Sequence, residues 1–244
     1  MKAVLSVVII CCFFGSFLPA QTVELSGYAL QQNMEQFGNQ SLSSLVRTFN
    51  FTPKNTRGFP YWRNEWLSGR LIWLNGSKLD NVPMKLITFK TTALSAKLPN
   101  GDSIVVPIRN FKVAIMIDPA TKDSIFLKRI IHSESPNGEL LRVIHDGEFA
   151  IVARQTSTLI PANNTGAYNA GRDYDEFVQK TDYFLYKSGT GVLQKMKLTK
   201  KALFEMLPGK EAELNTFVKS NQLNIDKEKD AARLAAYYEQ LLKP

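Results

Sequence analysis

From Tyr61 to Leu198 the chain runs as short apolar stretches, most of them ended by a tight-turn signal. Runs of about four to eight residues are too short for ordinary helices, and Asn-Gly or Pro-Asn-Gly signals between them reverse the chain. Arg70–Leu74 ends at Asn75-Gly76, a strong hairpin dipeptide. Val82–Phe89 and Ala93–Leu98 follow, and Pro99-Asn100-Gly101-Asp102 then breaks the pattern. Ile104–Ile108 contains Pro107, which cannot donate to a ladder and marks an edge strand or a strand end. In Lys112–Asp118 both faces are apolar, so both are expected to be covered. Ile125–Ile131, Leu140–His145 and Phe149–Ile160 continue the series, punctuated by Asp118-Pro119, Ser135-Pro136-Asn137-Gly138 and Asp146-Gly147. A last hairpin joins Tyr183–Tyr186 to Val192–Leu198 through Gly189-Thr190-Gly191. The pattern is that of an antiparallel meander, closed as a barrel or folded as a sandwich.

After residue 198 the period changes. Thr199 is placed to cap a short helix in which Ala202, Leu203, Met206 and Leu207 share a face, stopped by Pro208-Gly209. Glu211–Asn221 repeats the pattern with Leu214, Phe217 and Val218. In the last helix, with Asp226 as its expected cap, Ala231, Leu234, Ala235, Tyr238, Leu241 and Leu242 form one stripe, the face of a helix docked on a sheet. The fold class is therefore mainly β with a C-terminal helical segment. Its expected divisions are a signal peptide over 1–20, a polar lead-in over 21–57, a β domain over 58–198 and helices over 199–244.

The signal-peptide expectation rests on Lys2, the apolar run Ala3–Phe14 and the exit Leu18-Pro19-Ala20 before polar Gln21. The run is too short to span a bilayer. Bulky Val8, Ile9 and Ile10 precede Cys11 and Cys12, which argues against a lipidated cysteine. Both cysteines of the chain lie in this segment, so a chain cleaved after Ala20 has no thiol for a disulfide, a metal site or a nucleophile. Its stability must come from an ordinary core, which about 220 residues can build. Removing Lys2 from the net charge of +8 leaves +7, and the pI near 9.4 suits solubility and anionic surfaces. The densest basic stretch, Lys187 to Lys201, lacks the interleaved aromatics of a single-strand nucleic-acid platform.

No local motif announces chemistry. His132 and His145 stand apart with no ligand-spaced partner, so neither a metal site nor a cofactor is expected. There is no nucleophile elbow, phosphate loop or dinucleotide fingerprint. Two features remain. Phe59, Tyr61, Trp62, Trp66 and Trp73 hold all three tryptophans of the chain. Indoles of this kind plug a barrel end or form a stacking platform for sugar rings. The segment Pro161–Asp182 reads as a long polar loop carrying Tyr168, Asp173, Tyr174, Asp175 and Glu176. Trp62, Trp66, Trp73, Tyr168 and Tyr174 are the ligand-binding candidates. Asp173, Asp175 and Glu176 are the acids that a cofactor-free hydrolase would need to pair.

The order of motifs also resembles a known family. Gly58-Phe59-Pro60-Tyr61 with Trp66 and Gly69, then Asn81-Val82-Pro83-Met84-Lys85, precede the strand series. Tyr186-Lys187, Lys200-Lys201 with Leu203, Asn221-Gln222-Leu223-Asn224, and Tyr237-Tyr238 with Leu241 close it. In these the chain resembles a family of uncharacterised exported proteins from Bacteroidetes-type bacteria, over most of its length after residue 20. The resemblance implies a bacterial envelope location and transfers no site residue. The expectation is an exported soluble protein of the periplasm, the outer-membrane periphery or the medium. It would act as a non-catalytic binding or interaction module for a glycan, a lipid or another envelope protein, with the acid-loop hydrolase as the alternative.

Overall fold

The computed structural model describes residues 56–99, 101–163, 171–187 and 189–243. The expected signal segment, the lead-in up to residue 55 and Tyr168 lie outside the described residues. The strands are β1 (Thr56–Arg57), β2 (Leu67–Trp73), β3 (Lys78–Ile87), β4 (Ala93–Lys97), β5 (Ser103–Val106), β6 (Phe111–Ile117), β7 (Ser124–His132), β8 (Ser135–His145), β9 (Phe149–Ile160), β10 (Asp175–Lys187) and β11 (Leu193–Met196). Three helices follow: α1 (Lys200–Met206), α2 (Glu211–Ser220) and α3 (Glu228–Leu242). The chain is thus mainly β with a helical C-terminal end, as the periods imply.

All strands belong to one sheet in the order β1-β10-β9-β8-β7-β6-β2-β3-β4-β5, with β11 also on β10. Only the β1–β10 ladder is parallel. The edge position of β5 explains why Pro107 can follow it directly. The sheet is not closed. It curls until the end of β3 approaches β9, where Ser157 N donates to Thr88 O (2.9 Å) and Phe89 forms an isolated bridge with Ser157. The chain before β2 crosses the same gap. Gln179 of β10 donates its amide to Phe59 O (2.9 Å) and Tyr61 O (2.7 Å), while Thr88 N donates to Pro60 O (2.9 Å).

Directly paired residues of neighbouring strands share a face, so the register draws a row across the sheet. It runs Leu79, Leu71, Ala114, Leu127, Arg142, Ala153, Tyr183, Met196. At one end this face packs Leu71, Met84, Leu94, Phe111, Met116 and Leu127 into a fully buried cluster. At the other end the helices cover it, setting Leu203, Leu207, Leu214, Leu234 and Ala235 against Ile151 and Leu185. The opposite face carries a smaller cluster of Ile130, Leu141, Val143, Val152 and Phe184.

Arg142 is the one charge in the row. Its guanidinium makes two 2.5 Å bonds to the carboxylate of Glu228, the first residue of α3, and Tyr183 Oη donates to the same carboxylate at 2.9 Å. Burial and the neighbouring Glu228 carboxylate push the Tyr183 phenol up to about 12. Burial alone would raise the Glu228 carboxyl, but the Arg142 and Tyr183 bonds hold it below its ordinary value. Near the other end of α3, Glu239 accepts Phe149 N at 2.9 Å and lies 3.3 Å from His145 Nε2, and the Phe149 and Tyr238 rings meet edge to face. Thus α3 is fixed by its apolar stripe and by a carboxylate near each end.

Several local expectations need correction. Residues 175–182 are not loop: β10 begins at Asp175 and pairs with β9 from Glu176 to Lys187. The backbone ladder satisfies this half of the strand, although Phe177 is its one buried side chain before Phe184. Ser135–Gly138 is not the β7–β8 turn, which is Ser133-Glu134. Gly138 (φ 79) instead sits in the irregular part of the ladder, where the extra residues of β8 bulge. Thr199 caps α1 through Ala202 N as expected. Asp226 does not cap α3: the cap position is Lys227, and Asp230 turns back to accept Asn224 N at 3.0 Å.

Candidate functional site

The curl that brings β3 to β9 leaves a cleft of about 460 Å³ beside the seam. Four separate stretches wall it: Thr88 to Thr92 between β3 and β4, Ile108 after β5, Ser135 to Glu139 of β8, and Thr156 and Ser157 of β9. Its volume falls within the roughly 300–1,000 Å³ of small-molecule sites. The wall is dominated by hydroxyls, those of Thr88, Thr91, Thr92, Ser135, Thr156 and Ser157, with Lys90 and Glu139 as its charged members. Each hydroxyl can both donate and accept, the chemistry that matches another hydroxylated molecule.

The cleft is partly satisfied from within. Thr88 Oγ1 donates to Pro60 O at 3.2 Å. Glu139 is locked: Arg154 Nε and Nη2 reach its two oxygens at 2.6 Å each, and His132 Nε2 stands 3.2 Å from Oε2. The bonds to Glu139 hold the Arg154 guanidinium above its ordinary value against the opposing effect of burial. Two groups on the neighbouring inward face of β9 have no protein partner. Ser157 is 6% exposed and its Oγ bonds nothing, and two residues before it Gln155, 2% exposed, leaves its Nε2 without an acceptor.

Glu139, held by Arg154 and His132, is the one carboxylate of the lining, so the two facing carboxylates of a glycosidase are not assembled in this cleft. Among the described residues no group of three or more His, Cys, Asp or Glu side chains could hold a metal ion. Among the same residues no helix is long and apolar enough to cross a membrane.

The residues singled out from the sequence lie elsewhere. Trp62, Trp66 and Trp73 are all half-buried, and none of them lines the cleft. Trp62 and Trp73 pack on the cluster under β2 and β3, and Trp62 lies 4.8 Å from the Arg63 guanidinium and 4.9 Å from that of Arg142. Trp66 and Tyr61 flank the Lys85 ammonium at 4.9 and 4.8 Å. Tyr174 carries the Arg57 guanidinium 3.6 Å over its ring and Arg172 at 5.4 Å. Of the three acids, Asp173 is exposed. Asp175 accepts Ala162 N (2.7 Å), and Glu176 pairs with Arg172 (2.7 Å). Asp175 and Glu176 are consecutive in β10 and so point to opposite faces, and none of the three lines the cleft.

A sequence signal for the cleft does exist. The strand Phe149–Ile160 turns from apolar to Gln155-Thr156-Ser157-Thr158 with no turn residue between, and Lys90-Thr91-Thr92 interrupts two apolar runs. Neither pattern is specific without the fold that joins them. Comparison with protein-family models, with curated proteins and with solved structures gives no match for this chain.

Proposed function

We propose that this chain is an exported, non-catalytic binding protein whose cleft between the β3–β4 connection and β8–β9 seats a glycan. The observation that carries the reading is the wall itself, four threonines and two serines brought together from three separate stretches of the chain. Of a glycan, a lipid and another envelope protein, the first fits that wall, since a lipid tail asks for apolar lining. The export half rests on the Lys2, Ala3–Phe14 and Leu18-Pro19-Ala20 pattern and on the resemblance to exported bacterial proteins.

The test removes one atom. In Ser135→Ala the protein loses one half-buried hydroxyl of the lining, so the melting temperature should stay close to that of the wild type. Binding of monosaccharides, measured by calorimetry or ligand-observed NMR, should weaken about 3- to 10-fold, the equivalent of one hydrogen bond. A variant that binds the same sugars unchanged would mean that the Ser135 hydroxyl takes no part in binding, and the reading would fall.

A further inference from the structure

Beyond being hydroxylated, we infer that the ligand of this cleft carries a carboxylate, as a uronic-acid type of sugar does, and that Lys90 is the residue that selects it. The inference rests on the binding reading above and adds a charge to it.

The charges around the cleft do not balance. The Glu139 carboxylate is neutralised by its two bonds to Arg154. Among the described residues Lys90 pairs with no carboxylate, and its ammonium stands 5.4 Å from the Phe89 ring centre. A second cation lies behind the wall. A Cβ on Gly138 would come within 2.6 Å of Arg129 Nε, so the absent side chain lets this guanidinium lie against the cleft. The Arg129 Nε donates to the Asn137 carbonyl at 3.1 Å, and no described carboxylate pairs with it. Two further carboxylates act on Arg154: Asp182, held by Lys180 and Lys195 at 3.0 Å each, and Glu134, exposed in the β7–β8 turn. The lining therefore presents a cation to anything that enters.

The backbone at Lys90 supports the same assignment. Its φ is 64°, and Thr91 N donates to Phe89 O at 2.8 Å across it, a three-residue turn of the rare, strained hand. Such strain in a residue other than glycine gathers at ligand clamps, where the surrounding fold over-determines it. Here the bridge from Phe89 to Ser157 fixes one side of the turn and β4 the other. Lys90 is thus an exposed cation, with no carboxylate partner among the described residues, on a lining rich in threonine and serine. Its complement is one anionic group on a molecule otherwise made of hydroxyls.

The experiment compares D-glucuronate with D-glucose on the wild-type chain, on Lys90→Ala and on Lys90→Arg. The wild type should bind glucuronate about tenfold or more tightly than glucose, the scale of one charge-assisted bond. Lys90→Ala should weaken glucuronate far more than glucose and so abolish the preference, while Lys90→Arg keeps it. Lys90 is exposed, so the melting temperature of both variants should match the wild type. Equal affinity for the two sugars, or a preference that survives Lys90→Ala, overturns the inference. Glucose binding that Ser135→Ala weakens would in that case leave the glycan reading standing, whereas no saturable binding of either sugar overturns both.

Discussion

Replacing Arg142 with alanine is expected to lower the stability of the folded chain by about 3 kcal/mol, read from urea melts. Breaking a buried pair by removing one partner costs about 3–5 kcal/mol, because the other charge stays behind uncompensated. The lower end applies, since the Arg142 side chain is 10% exposed but that of Glu228 33%. The same contact gives a pH signature. The Glu228 carboxyl is held below its ordinary 4.5 in the fold, so its contribution is fully present above that value and is lost as the pH falls through the lower, folded value. The stability gap between wild type and Glu228→Gln should therefore be constant near neutrality and shrink below about pH 4. The double variant Arg142→Met, Glu228→Leu should regain most of the loss, because apolar replacements of a buried pair are often neutral. A gap that widens on acidification would mean that Glu228 is not held by Arg142 in solution.

Gly69→Ala should be as damaging for a different reason. Gly69 lies in β2 between Val82 of β3 and Met116 of β6, and an added Cβ would stand 2.0 Å from the Ile115 carbonyl oxygen and 2.9 Å from Met116 Cα. Those atoms are backbone, so relief requires the β2 and β6 strands to part, over the cluster that contains Leu71 and Met116. Overpacking costs about 1–3 kcal/mol and occasionally more, and a clash with main chain belongs at the upper end. The exposed neighbour serves as control: Ser68→Ala should change stability by less than about 0.5 kcal/mol. Equal melts for the two variants would show that β2 and β6 are not packed at this distance.

What was legible in the sequence was whatever has a period. Short apolar runs gave β3, β4, β6, β7 and β9, and the stripe through Ala231, Leu234, Ala235 and Tyr238 gave α3 with its buried face. Where backbone pairing rather than side-chain burial holds a segment, the signal fails. The first half of β10 is polar because its ladder to β9 carries it, so it reads as loop. Arg142 shows the same limit. A lone arginine between Leu141 and Val143 says nothing until the register aligns it with Tyr183 and docks Glu228 against it. The cleft was illegible for a topological reason. Thr88 meets Ser135 and Ser157, which lie on the neighbouring strands β8 and β9, only through the curl of the sheet, and hydroxyl residues have no periodic pattern. The tryptophans are large enough for a core plug or a stacking platform, and the fold shares them between a core cluster and cation contacts.

Whether the cleft is a ligand seat at all is decided most directly by ¹⁵N-amide NMR of the folded chain titrated with D-glucuronate. Saturable shifts are expected only at the amides of residues 88–92, 108, 135–139 and 156–157, the segments that wall the cleft. Shifts centred instead on Trp62, Trp66 and Trp73, or no saturable shift at any amide of the cleft, would contradict this expectation.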